Sequence, residues 1–273
     1  TGALYGFLAA LAVGLVCGLF SGLVIVRSKV VPFIITLGLM VIARGLALIW
    51  SQGAAIAPFS EEFNFFGQGY LGMPATIALI GGFTLLTLAR IFTTSKNWGE
   101  ILITLLASAV FSYSFLGYRG LPVPALLFGA IALTAHFFLQ NTVYGRYVVA
   151  TGSNYQAAFL SGVPVERVVF FVYLLMGTFA GLSGAVLSAR LNGAMPTAGE
   201  LFELDAIAAV VIGGTRLTGG VGSIGGSVIG AFLIGTLNNG MSLLNVDEFY
   251  QKVIKGLIII LAVWLDTRGK ARR

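Results

Sequence analysis

Residues 3–26 read ALYGFLAALAVGLVCGLFSGLVIV, with no charged side chain, and Arg27 and Lys29 close the run. A helix needs about 20 mostly apolar residues to cross the hydrocarbon core of a bilayer. This stretch is long enough, and it predicts a membrane span. Glycine recurs every fourth residue at Gly14, Gly18 and Gly22, which lays a smooth stripe along one helix face where another backbone can come close.

The rest of the chain has the same character. Its 273 residues are 58% hydrophobic and 10% charged, and the mean hydropathy is +0.96. A soluble domain carries about a quarter charged residues, so this chain cannot cover a folded surface with polar side chains. An ordinary cytosolic globule, a disordered chain and a nucleic-acid binder are excluded. The 37 glycines lie inside apolar runs without a collagen period. The net charge of +6 comes from Lys and Arg scattered between apolar stretches, as topology signals are. The lone Cys17 permits no intrachain disulfide and no cysteine metal site. The lone His136, in an apolar run, suits an interhelical hydrogen bond better than a proton relay. The expected fold is all-α, a polytopic helical membrane protein with one transmembrane domain over residues 1–273.

About eight full spans are predicted, over residues 3–26, 31–50, 71–89, 101–116, 121–139, 168–189, 224–244 and 253–265. Residues 204–214 are apolar but only half a span long. Polar loops are expected at Glu61 to Gln68 and over residues 140–167. By the positive-inside rule the basic tail, with Arg268, Lys270, Arg272 and Arg273, is expected to be cytoplasmic. The loops with Arg27 and Lys29, Arg90 and Lys96, and Arg146 and Arg167 fall on the same side, with Arg119 and Arg190 as exceptions. Two further small-residue ladders run through Gly177, Gly181 and Ala185, and through Gly222, Gly226 and Gly230. Each reads as tight helix packing, or alternatively as a sliding surface for gating.

Residues 220–225, GVGSIG, fit G-x-G-x-x-G, with Asp247 downstream. A dinucleotide site needs alternating strands and amphipathic helices around that motif, and the chain has none. There is no G-x-x-x-x-G-K-[ST] for ATP, and no nucleophilic triad or metal-spaced cluster. The 140–167 loop is more informative. Ser153-Asn154-Tyr155-Gln156 matches a capping box, Gly162 is a natural stop, and Pro164 blocks continuation. A two-turn helix is therefore expected over Asn154, Tyr155, Gln156, Ala157, Ala158, Phe159 and Leu160. So short a helix must pack on something, either the membrane face of its own chain or a soluble partner with a groove.

Gly213 to Gly220 separates the half-length segment from the next span. Such an interruption either lines a cavity or is a flexible turn. Asn238 and Asn239 lie late in the following span, where two amides either bond to a neighbouring helix or face a solute. Arg44 is costly in hydrocarbon, so it is expected to snorkel outward or to pair with an acid.

On these stretches the sequence resembles the permease subunits of bacterial ABC sugar importers of the ribose/xylose type. The matching segments are FIITLGLMVIARGL, YGRYVVATGSNYQAAFLSGVPVERV, PTAGELFELDAIAAVVIGGTRLTGGVGSIGGSVIGAFLIGTLNNGMSLLNV and YQKVIKGLIIILAVWLD. The span at 101–116 with YRGLPVPALLF after it is similar to the D-xylose permeases. Members usually begin upstream with further spans and a G-I-D-L-S-V-G-S motif, so the chain is expected to be the C-terminal major part of such a permease. Gln156 stands where relatives usually carry an acid before the two alanines.

The resemblance implies a multi-pass protein of the bacterial inner membrane that passes a pentose, D-xylose above all, into the cytoplasm. It implies a second permease chain, two cytoplasmic ATP-binding subunits carrying ATP and Mg²⁺, and a periplasmic sugar-binding protein, with no cofactor in this chain. The ATPase is expected to dock on Asn154 to Gly162. Pathway candidates are Phe33, Thr36, Arg44, Asp205, Asn238 and Asn239. The competing reading is a stand-alone secondary transporter or channel for a small polar solute, which would need an acid inside a span for ion coupling. A membrane anchor would explain the spans but neither the capped helix nor the broken segment.

Overall fold

The computed structural model describes residues 2–28, 30–94, 101–102, 105–106, 109, 112–113, 115, 117 and 119–270. Lys29, Lys96, Arg272, Arg273 and part of the expected 101–116 span lie outside them. The described residues are helical, with isolated bridges at Ile56–Ala194 and Tyr70–Pro122 and no strand.

Among the described residues, four helices are long and apolar enough to cross a membrane: α1 (Gly2–Ser28), α2 (Pro32–Ser51), and two later ones at Val123–Asn141 and Val165–Leu191. The expected spans at 71–89, 224–244 and 253–265 fall in helices of other kinds. Between α2 and the third long helix lie α3 (Glu61–Gln68) and α4 (Met73–Thr94), the latter apolar only over Met73–Ala89. Then follow α5 (Val123–Asn141), α6 (Val143–Ser153), α7 (Tyr155–Leu160) and α8 (Val165–Leu191). The chain ends with α9 (Phe202–Ile212), α10 (Ile224–Leu243) and α11 (Glu248–Lys270). α10 has a span's length, but its glycines and the Asn238–Asn239 pair dilute its apolar character. α9 has 11 residues, roughly 16 Å of rise, about half the hydrocarbon thickness.

The polar stretch at Glu61–Gln68 forms a helix, and the 140–167 loop holds α6 in addition to the short helix expected there. α3 starts with Glu61 and Glu62 in its first turn, where the helix dipole favours negative charge. α6 is capped by Thr142, whose Oγ1 accepts from Gly145 N–H at 3.1 Å. These segments are too short and polar for a hydropathy reading to register.

The chain divides into two compact units. One comprises Thr1–Leu8, Ile56–Gly129 and Ala185–Ala194; the other comprises Ala9–Ala55, Ala130–Gly184 and Met195–Arg273. In the first unit, α3 docks on the end of α8. Gly67 lies so close to Ala189 and Arg190 that a Cβ would strike the Arg190 backbone N. Gln68 Nε2 donates to the Arg190 carbonyl at 3.1 Å, and Asn64 Nδ2 donates to Asn192 Oδ1 at 2.7 Å. Phe7 stacks on Phe66 with centroids 4.8 Å apart. The fully buried Thr76 braces the turn before α5: its hydroxyl donates to the Leu71 or Gly72 carbonyl and accepts from Leu121 N–H at 3.1 Å.

The second unit is built on two glycine seams. At the first, α1 meets α8. A Cβ on Gly14 would strike the Gly177 carbonyl and come within 2.8 Å of Gly181 Cα, and a Cβ on Gly18 would meet the Tyr173 carbonyl at 2.7 Å. At the second, α9 meets α10, with Gly213 against Gly226 and the Ala209 carbonyl against Gly230. Ala208, Ala209 and Ile234 form a buried core there, with Ile258 of α11 packed on it. The ladders read in the sequence thus serve close helix packing.

Candidate functional site

Two features of the second unit gather the residues singled out from the sequence: a polar cluster among α9, α10 and α11, and the short helix α7.

α9 begins after Leu201, which has a left-handed φ of 66°. Glu203 and Asp205 sit in its first turn. Lys255 Nζ, on α11, donates to Asp205 Oδ2 at 3.0 Å, and Asn238 Nδ2, on α10, donates to the same oxygen at 3.2 Å. The side chains of Lys255 and Asp205 are 24% and 17% exposed. Asn238 Oδ1 is buried without a hydrogen-bond partner. One carboxylate oxygen therefore ties three helices together beside an apolar core. A part-buried ion pair loses much of its Coulomb gain to desolvation, so the cluster adds little net stability to the fold. The free acceptor on Asn238 suits a hydroxyl donor, since a buried polar atom without a partner is costly.

The sequence reading named Asp205 and Asn238, and the structure brings them together. It missed Lys255, which lies 50 residues from Asp205, inside the span expected over 253–265. Asn239 is exposed and outside the cluster. Phe33, Thr36 and Arg44 all lie on α2, which has no buried residue. Thr36 spends its hydroxyl on the Pro32 and Phe33 carbonyls of its own helix, and these three side chains do not join Asp205.

The interruption after α9 is a closed turn. Gly213, Gly214 and Thr215 N–H groups return to the Ala209, Val211 and Val210 carbonyls at 2.9–3.1 Å. Arg216 N–H bonds to the Val221 carbonyl at 2.9 Å, and Gly219 N–H to the Arg216 carbonyl at 3.0 Å. Gly214, Gly219 and Gly220 hold φ of 87°, 90° and 76°, values that side chains with a Cβ rarely adopt. Ser223 then caps α10 by accepting from Gly226 N–H at 3.0 Å.

α7 is shorter than the two turns expected, and its cap differs. Asn154 Oδ1, not Ser153, accepts from Ala157 N–H at 3.0 Å. Ser153 instead donates to the Val149 carbonyl at 3.0 Å and closes α6. The stop is as read: Gly162 has φ 81° and donates to the Phe159 carbonyl, and Val163 donates to the Ala158 carbonyl. Ala158 is 5% exposed, whereas Phe159 and Leu160 are 63% and 84% exposed. Tyr155, Gln156 and Ala157 are exposed as well. The outward apolar pair is therefore Phe159 and Leu160, with Ala158 turned inward.

Long apolar helices packed through glycine seams define a multi-pass helical membrane protein. Residues 2–263 match the family described as branched-chain amino acid transport system / permease component, and the chain belongs to that family. It is 38% identical over 281 residues to the xylose transport system permease protein XylH of Haemophilus influenzae, covering 97% of this chain and 74% of the relative. Against XylH of Escherichia coli K12 the identity is 36%, over 97% of this chain and 71% of the relative. Against the ribose import permease protein RbsC of Bacillus subtilis it is 38%, over 92% of this chain and 64% of the relative. No solved structure matches the chain significantly.

Proposed function

We propose that this chain is the membrane-spanning permease subunit of an ATP-driven ABC importer for a pentose, with D-xylose as the cargo. The xylose and ribose permeases among its relatives support the sugar class. The observation that carries the mechanism is α7, a capped helix of six residues presenting Phe159 and Leu160 to solvent. So short a helix is marginal alone, and an exposed apolar pair on a rigid stub is suited to a groove on a partner.

In this reading the chain lies in the inner membrane with its C-terminus and α7 cytoplasmic, as the basic loops suggest. Two copies form the pathway. Cytoplasmic subunits hold ATP and Mg²⁺ and dock on Asn154 to Gly162, a periplasmic protein delivers the sugar, and this chain carries no ATPase motif and no cofactor. Asp205 and Asn238, with Lys255, offer a sugar hydroxyl both a donor and an acceptor. Asn239, Phe33, Thr36 and Arg44 remain pathway candidates from sequence alone. The reading as a stand-alone ion-coupled transporter rests on Asp205, the one acid in a helical polar cluster of the second unit, but Lys255 already supplies its cation.

The test is purification from native membranes in mild detergent with identification of whatever accompanies the chain. An ATP-binding subunit should co-purify, and Phe159→Ala/Leu160→Ala should lose it while the permease stays in the membrane. Recovery of the wild-type chain alone, under conditions that hold related complexes together, would favour the stand-alone transporter.

A further inference from the structure

We infer that α6 and the Gly219–Gly220 turn move as one body, so that displacement of α7 is passed by direct backbone contact to the half-length helix α9 and its Asp205 cluster. This rests on the permease reading above and adds the route by which the ATPase would act.

The contact is made of backbone and one hydroxyl. A Cβ on Gly219 would strike the Gly152 carbonyl, and one on Gly152 would come within 2.9 Å of Gly220 N. A Cβ on Gly220 would strike Ser153 Oγ and lie 2.8 Å from Ser153 Cα. Gly152 and Ser153 are the last two residues of α6, and Asn154, the cap of α7, follows directly. Gly219 and Gly220 belong to the closed turn between α9 and α10, whose own hydrogen bonds resist bending. No long side chain intervenes to absorb a shift. Close-packed contacts of this kind transmit displacement because they cannot deform continuously.

α6 is also held at its other end. Tyr144 Oη donates to the Arg167 carbonyl of α8 at 3.1 Å, and its ring packs edge-on against Phe171 at 5.0 Å. α6 therefore works as a short lever, anchored to α8 at its start and seated on the glycine turn at its end. The same turn sets where α9 stops, and α9 carries Asp205 at its other end.

The experiment uses the assembled complex, with the sole cysteine removed as Cys17→Ala and the pair Ser153→Cys/Gly220→Cys introduced. A Cβ on Gly220 lies 3.0 Å from Ser153 Cβ, so a slight retreat of the turn reaches the ~3.8 Å usual for a disulfide. Rapid cross-linking, with oxidised and reduced complexes importing labelled D-xylose equally, is expected. Cross-linking that stops uptake until a reductant is added would overturn the inference, because the contact would then have to open in each cycle. Absence of cross-linking in the assembled complex overturns it as well.

Should the cysteine pair fail to assemble, Gly152→Val decides. Uptake should drop about tenfold while ATP hydrolysis by the purified complex stays within about twofold, an uncoupling of the size that contact networks carry. Gly225→Ala, which meets nothing within 4 Å, should leave both unchanged. Unaltered uptake in Gly152→Val sinks the proposal. The cross-link is read independently of transport, so loss of the ATPase from the wild-type complex would count against the permease reading and not against this contact.

Discussion

The two glycine seams of the second unit both bring helix backbones into direct contact but differ in what surrounds them. Between α1 and α8, glycine faces glycine, and the neighbouring side chains, Phe170, Tyr173 and Ser21, carry no charge. Between α9 and α10, the same close approach sits beside Asp205, Asn238 and Lys255. An apolar seam in lipid gains only packing, and it loses that packing if it slides, so it behaves as scaffold. The second seam carries charges whose desolvation nearly cancels their attraction. Its charges hold it only weakly, so it is the seam freer to shift.

Substitutions at the first seam should have the largest effect. Gly14→Val or Gly177→Val places atoms inside the facing backbone, and overpacking of this kind costs about 3 kcal/mol or more. Loss of monodisperse protein in detergent is expected, and a normal melting temperature would show that the seam is looser than described. Gly230→Ala at the second seam, against the Ala209 carbonyl, should lower the melting temperature less, because the half-length α9 can shift.

Lys255→Met sharpens the contrast. It strands a part-buried carboxylate, and with 24% and 17% of the two side chains exposed the loss should be about 1–2 kcal/mol, below the 3–5 of a fully buried pair. Thermal unfolding in detergent measures it, and adding Asp205→Asn should restore most of the stability without restoring uptake. Restored uptake would remove the charges from function.

Gly45→Ala, on α2 with open space around it, should raise helix stability by up to about 1 kcal/mol. A drop in melting temperature would reveal a neighbour of α2. The smallest effect is expected from Gln156→Glu on exposed α7: a change below about 1 kcal/mol in ATPase affinity, as surface charges give, read by titrating the ATPase onto the permease.

Much of this was legible in the chain because its signals are local. Apolar length places α1, α2, α5 and α8. Spacing of four marks the glycines of both seams, and the Gly162–Pro164 pair stops α7. Even the half-length of α9 follows from counting residues between polar ends. The helices at Glu61–Gln68 and Val143–Ser153 escaped because short polar helices hold their shape through caps and contacts. The inward turn of Ala158 and the capping role of Asn154 instead of Ser153 are likewise set by backbone geometry that a motif only approximates.

By itself the sequence determined that the chain must be helical and embedded, since 10% charge cannot clothe a soluble fold, and that some helices must touch through glycine. Only the tertiary structure decided which helices those are. It also decided that Lys255 is the partner of Asp205, and that the turn at Gly219–Gly220 rests on the end of α6. These pairings join residues far apart in the chain, and hydropathy and spacing carry no information about which distant stripe, charge or turn will meet which.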